Sequence, residues 1–194
     1  MPGDSLVDVL LEFLEALVHQ ILFVRELYSP ELFERQRLYG IAVRRSRHPE
    51  LNSYISKAVA GLKASLASGS LAKVAVVVLQ SERTPLERFV FEPRILVAGG
   101  GGAPQEGLDI DAIEAHLRGI LLKLQYVDSY LKKLPPGCTF EVVAYTSWRG
   151  GIPAADWVEE QPTPGHLELQ QAEIVPIKSC NLAGTFQLQL YAES

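Results

Sequence analysis

The chain predicts an α+β domain, with three main helices packed on a mainly antiparallel sheet. Three observations carry that prediction. Segment 5–28 is apolar on nearly every side, so it reads as the central helix of a domain. Residues 72–80 and 86–92 are apolar runs joined through Arg83-Thr84-Pro85, which is a hairpin signal. The order of elements is helix, helix, hairpin, helix, strand, followed by a long segment punctuated by Pro and Gly.

In segment 5–28, Asp8, Glu12, Glu15, His19 and Glu26 fall on one narrow stripe at ~100° per residue. Leu10, Phe13, Leu17 and Ile21 belong to the wide apolar remainder. Residues 29–47 read as a connection with a short strand at 38–43. The second helix is predicted over 49–66. His48 stands at its start, Pro49 suits its first turn, and Leu51, Ile55, Leu62 and Leu66 share a face. The unbroken apolar run 74–79 predicts a strand buried on both faces. The third helix is predicted over 109–134, from Ile110 and Ile113 through Leu124 to Leu131, and Pro135-Pro136-Gly137 stops it. A strand follows at 139–145. Strand-like pieces return at 167–177, and Phe186, Leu188 and Leu190 alternate with Gln187, Gln189 and Tyr191 in a last strand at 185–192.

Composition narrows the function classes. Hydrophobic residues make up 47% and charged residues 21% of 194, enough apolar material for one cored domain. Residues 1–149 balance 17 basic against 17 acidic side chains, and residues 150–194 set six acids against Lys178 alone. Direct nucleic-acid binding needs a basic face. The cluster Arg35, Arg37, Arg44, Arg45 and Arg47 is the one candidate, and it also reads as a solvated loop. Cys138 and Cys180 are far apart and form no CxxC, which speaks against a zinc ribbon and suits a reducing compartment. Asp4 and Asp8 precede any basic residue, so no signal peptide is expected, and charges interrupt segment 6–28 too often for a membrane span. The Gly-rich stretch 98–104 lacks the Gly-Lys-Ser/Thr of a phosphate loop. His19, His48, His116 and His166 sit on different elements, without metal spacing or a partner for Cys138, so no catalytic or metal centre and no cofactor are expected.

The stretch His48-Pro49-Glu50-Leu51-Asn52-Ser53-Tyr54-Ile55 resembles the opening of the second helix in the HORMA-domain family. The match is to its mitotic-arrest-deficient-like branch, the accessory subunits of DNA polymerase zeta. Leu10-Leu11-Glu12-Phe13-Leu14-Glu15, Phe89-Val90-Phe91-Glu92, Pro135-Pro136-Gly137-Cys138-Thr139-Phe140, Val175-Pro176-Ile177-Lys178 and Gln189-Leu190-Tyr191 extend the similarity in the same order over about 6–193. The resemblance implies a single HORMA domain over 1–194, with a core of about 5–145 and a C-terminal safety belt of about 146–194. It implies a non-enzymatic adaptor whose belt closes over a proline-containing peptide of the polymerase zeta catalytic subunit. By the same resemblance Tyr54, Trp157 and Val158 touch that peptide. Ile174, Gln189 and Tyr191 meet the C-terminal domain of a scaffolding translesion polymerase, and Arg118 centres a dimer with another HORMA protein. An AAA+ remodelling ATPase is a further implied partner. The implied setting is DNA damage tolerance in the nucleus, with the cytoplasm a second location. A spindle-checkpoint HORMA adaptor is the alternative of the same fold, and a nucleic-acid binder the distant one. From the residues alone, Tyr54 reads first as an aromatic at the core edge, and Trp157 equally as a staple for a loop. Gln189 and Tyr191 read as the solvent face of a strand, and Arg118 as a snorkelling surface residue.

Overall fold

The computed structural model describes residues 5–80, 83–95, 109–147, 157, 167–182 and 186–194. Its first helix, α1 (Leu6–Val24), starts where the Ser5 hydroxyl accepts the Asp8 amide. It ends at Arg25, and Glu26 turns the chain at a φ of 51°. Leu10, Phe13, Leu17, Ile21 and Leu22 are fully buried, which makes α1 the axis of the core. The Phe13 ring lies 5.8 Å from that of Phe91 and ties the helix to the sheet.

The connection after α1 is a hairpin and not the single strand expected at 38–43. Strands β1 (Phe33–Leu38) and β2 (Ile41–Ser46) pair antiparallel around Tyr39 and Gly40. Both turn residues have positive φ, 47° and 77°, the geometry that matches the twist of two short strands. The expected strand therefore sat across the turn. The hairpin meets α1 edge-on. The Arg44 amide donates to the Gln20 side-chain oxygen at 3.1 Å, and the Ser46 amide to His19 Nδ1 at 3.4 Å. His19, expected on a solvated stripe, is thus buried, because the hairpin roofs that part of α1. Burial lowers its pKa to about 4 from 6.5.

Helix α2 (Pro49–Gly61) is followed after a break at Leu62 by the five-residue α3 (Lys63–Ala67), so the predicted 49–66 helix is two pieces. His48 caps α2 through Nδ1, which accepts the Leu51 amide. Strands β3 (Leu71–Leu79) and β4 (Pro85–Ile95) form the expected hairpin. Helix α4 (Ile110–Leu124) is ten residues shorter at its C-terminus than the 109–134 predicted. Beyond it the chain tightens into a short 3-10 turn at Val127–Ser129. The buried guanidinium of Arg25 bonds Glu87 on β4, and also Asp128 and the Lys132 carbonyl in this segment. Strands β5 (Thr139–Thr146), β6 (Ile174–Leu182) and β7 (Phe186–Glu193) complete the chain.

The main sheet is antiparallel throughout, in the order β5-β3-β4-β7-β6. Val74, Val76, Val78, Phe89 and Phe91 face the helices, while Ala75, Val77, Leu79 and Val90 are buried on the far face beneath Leu167. The run 74–79 is covered on both sides, as its composition predicts. The two edges of the sheet are β5 and β6, and the C-terminal hairpin β6–β7 lies along β4, away from β5.

Candidate functional site

Among the described residues β5 pairs with β3 alone, so its outer edge has no strand partner. Phe140, Val142 and Ala144 face the helix layer beside that edge. Tyr54 comes down on it from α2. Its ring stands edge-on to Phe140 at 5.7 Å and 78°, and it remains 45% exposed. Tyr28, just beyond α1, stands edge-on to the same Phe140 at 6.3 Å. Burial raises the Tyr54 hydroxyl above its ordinary pKa, and the Val142 backbone amide pulls the other way. Tyr28 is raised too, by burial and then by Tyr54. The three rings line one end of the β5 edge with aromatic surface.

Trp157 reaches the same helix. Its indole N–H donates to the Ala58 carbonyl at 3.2 Å, and its ring packs half-buried against the core. That carbonyl is free because of the break in α2. In a continuous helix it would accept the amide of Leu62, but Leu62 N–H turns to the Val59 carbonyl at 3.0 Å. Ala58 follows Tyr54 by four residues, so the two lie on one face of α2, about 6 Å apart along its axis. The chain leaves β5 at Ser147, meets α2 at Trp157, and lies on the far face of the sheet by Leu167. Val158 falls outside the described residues.

Tyr54 and Trp157 are therefore brought together on α2, and the other two groups lie elsewhere. Ile174, Gln189 and Tyr191 share the outer face of the C-terminal hairpin. Ile174 is 62% exposed, and the Tyr191 hydroxyl donates to Glu92 at 2.8 Å. Burial, then Glu92, raises the Tyr191 pKa. Arg118 points to solvent from α4. Sequence reasoning missed Tyr28, Phe140 and the Ala58 carbonyl. Phe140 carried a readable signal, as the large aromatic of an edge strand that also carries the Pro-Pro-Gly link. The carbonyl carried none, since it depends on a helix break. Among the described residues, no group of His, Cys, Asp and Glu is arranged to hold a metal ion, and Cys138 is engaged with the Pro135 carbonyl.

An antiparallel sheet backed by a buried central helix, with one edge lacking a strand partner among the described residues beside an aromatic face and the C-terminal hairpin on the other, defines the class. The HORMA domain family model matches residues 7–155, and this chain belongs to that family. Its relatives include the mitotic spindle assembly checkpoint protein MAD2B of Gallus gallus, 35% identical over 98% of this chain and 92% of that protein. The DNA polymerase zeta processivity subunit of Arabidopsis thaliana is 33% identical over 98% of this chain and 85% of that one. The resemblance read from helix α2 and the stretches around it thus holds, for the fold and for the branch. In three dimensions the chain is similar to one in a crystal structure of the mitotic checkpoint complex. The TM-score is 0.79 at 24% identity, covering 96% of this chain and 97% of the other. It is also similar to C. elegans HTP-2 bound to a HIM-3 closure motif, with a TM-score of 0.77 at 13% identity over 97% and 89% of the chains.

Proposed function

We propose that this chain is a non-enzymatic adaptor that closes residues 146–194 around a proline-containing peptide of the catalytic subunit of DNA polymerase zeta. One observation carries the reading: the β5 edge, which has no strand partner among the described residues, the Tyr54 ring and the Trp157 anchor all border one strip of surface. An extended peptide adds to a bare edge through main-chain hydrogen bonds, and aromatic faces receive proline rings. The chain touches α2 at Trp157 and the far face of the sheet at Leu167, so a peptide on β5 would lie between these two contacts. Val158 is a further contact in this reading. The polymerase names of relatives such as the Arabidopsis processivity subunit support the identity of the partner, and the HTP-2 complex supports the mode of binding.

In the same reading Ile174, Gln189 and Tyr191 bridge to the C-terminal domain of a scaffolding translesion polymerase, Arg118 serves a HORMA dimer, an AAA+ ATPase reopens the belt, and the work is done in the nucleus. The test is titration of the folded protein with proline-containing peptides of the catalytic subunit. Aromatic anchors at interface centres contribute ~2 kcal/mol or more, so Tyr54→Ala and Trp157→Ala should each weaken binding about 30-fold. Binding by both variants at parental strength would place the site elsewhere, and no binding by the parent would end the polymerase reading. The checkpoint reading has its own support in the relatives' names. It predicts capture of a checkpoint partner's peptide in preference to the polymerase peptide in a direct competition.

A further inference from the structure

We infer that Asn52 is a positioning residue that sets the rotation of α2, and with it the placement of Tyr54 and the Ala58 carbonyl; the inference deepens the proposed peptide site and rests on it. The support is one buried residue, Ser46, whose polar atoms tie three elements together. Its amide donates to His19 Nδ1 on α1 at 3.4 Å. Its hydroxyl accepts the His48 amide at 2.9 Å, at the start of α2. Its carbonyl accepts Asn52 Nδ2 at 2.9 Å, one turn into α2. Ser46 and His19 are each only 1% exposed, so this junction is shielded from water.

Asn52 and Tyr54 are two residues apart, so they project from nearly opposite sides of α2. The Ser46 carbonyl grips one side, and the Tyr54 ring stands over Phe140 on the other. A 20° roll of the helix would shift a group ~6 Å from its axis by about 2 Å, enough to unseat Tyr54 and to pull the Ala58 carbonyl from the Trp157 indole. The Asn52 side-chain oxygen is buried and has no partner, so the amide donor alone makes the grip.

The test uses the full chain with Trp148→Phe, which leaves Trp157 the sole tryptophan, and a synthetic proline-containing peptide of the polymerase zeta catalytic subunit as probe. Asn52→Asp turns the donor into an oxygen facing the Ser46 carbonyl. It should weaken peptide binding at least tenfold and shift Trp157 emission to the red. Ser46→Ala, which keeps the carbonyl and loses the hydroxyl, should weaken binding about threefold. Phe91→Leu, a core change on β4, supplies a destabilised control that should bind within twofold of the parent. Parental binding by folded Asn52→Asp, or equal weakening by the Phe91→Leu control, overturns the assignment. If Asn52→Asp does not fold, Asn52→Ala, which removes the donor without adding a charge, decides by the same comparison. If the parent does not bind the probe, the peptide reading fails, and the emission alone decides Asn52: a red shift supports its grip on α2 and an unchanged spectrum overturns it.

Discussion

Replacing Arg25 by Met would leave the Glu87 carboxylate buried without its cation. In the parent, Arg25 Nε donates to one Glu87 oxygen at 2.8 Å and a terminal nitrogen to the other at 3.2 Å. Their side chains are 1% and 2% exposed, so water cannot stand in for the missing partner. Breaking a buried pair from one side costs 3–5 kcal/mol, roughly 4 here. The Asp128 contact adds little, because that carboxylate is 65% exposed and solvent-screened. At 2–4 °C per kcal/mol for a chain of this size, the melting temperature should fall by about 8–16 °C. Arg25→Met with Glu87→Leu removes both charges, and most of the loss should return, since replacing a whole buried pair by apolar residues is often neutral. Calorimetry or urea unfolding of the two single variants and the double completes the cycle. A loss below ~1 kcal/mol in Arg25→Met, or a double variant as weak as the worse single, would refute the account of this junction.

Stability should also follow pH through His19. Its folded pKa lies near 4 against 6.5 unfolded, so the unfolded chain takes up the proton first. The contribution is complete above pH 6.5 and lost as pH falls to 4, a change of roughly 3 kcal/mol from the displacement. Urea midpoints across that window should show the fall, and His19→Gln, which keeps an acceptor for the Ser46 amide, should flatten it. Gly40→Val places a β-branched residue at a φ of 77° in the β1–β2 turn and should cost about 1–2 kcal/mol, read by thermal melting, though nothing lies within 4 Å to clash. Tyr191→Ala frees Glu92 and removes the centre of the proposed second surface. It should abolish capture of a scaffolding polymerase's C-terminal domain in a pull-down and leave peptide affinity unchanged.

Periodicity made α1, the β3–β4 hairpin and the last strand legible, because burial of Phe13, Val76 or Leu188 is written directly into spacing. It failed where long-range partners decided the outcome. Leu131 continues the apolar stripe of α4, yet the helix ends at Leu124, a 3-10 turn follows at Val127–Ser129, and Asp128 and the Lys132 carbonyl bond Arg25, about a hundred residues earlier in the chain. His19 and Glu15 belong to one polar stripe by arithmetic, but the β1–β2 hairpin buries the first and leaves the second to pair with Arg45 at 3.0 Å. The candidate site was half legible. Tyr54 and Trp157 came from resemblance to a family. Phe140, Tyr28 and the Ala58 carbonyl gain their roles only when α2 is laid across β5.

Where the C-terminal hairpin sits decides what the rest of the molecule can do. A sheet of five antiparallel strands has two edges, and β7 spends its pairing on β4 over the register from Arg88–Glu193 to Ile95–Phe186. Phe186, Leu188 and Leu190 then fill the core beneath α4, and the Arg88–Glu193 ion pair at 3.0 Å fastens the end of the strand on the far face. Arg88 also donates to the Tyr145 hydroxyl on β5 at 2.8 Å, so one buried guanidinium joins the docked hairpin to the bare edge. The same packing that satisfies β4 leaves β5 without a strand partner among the described residues, beside Tyr54. An edge so placed is protected by charge, Pro, a bulge or a covering segment, or it receives another chain. The helix-facing residues of β5, Phe140, Val142 and Ala144, carry no charge, while Glu141 on the other face pairs with Arg83, so the uncharged side beside the aromatic rings is where the proposed peptide would seat.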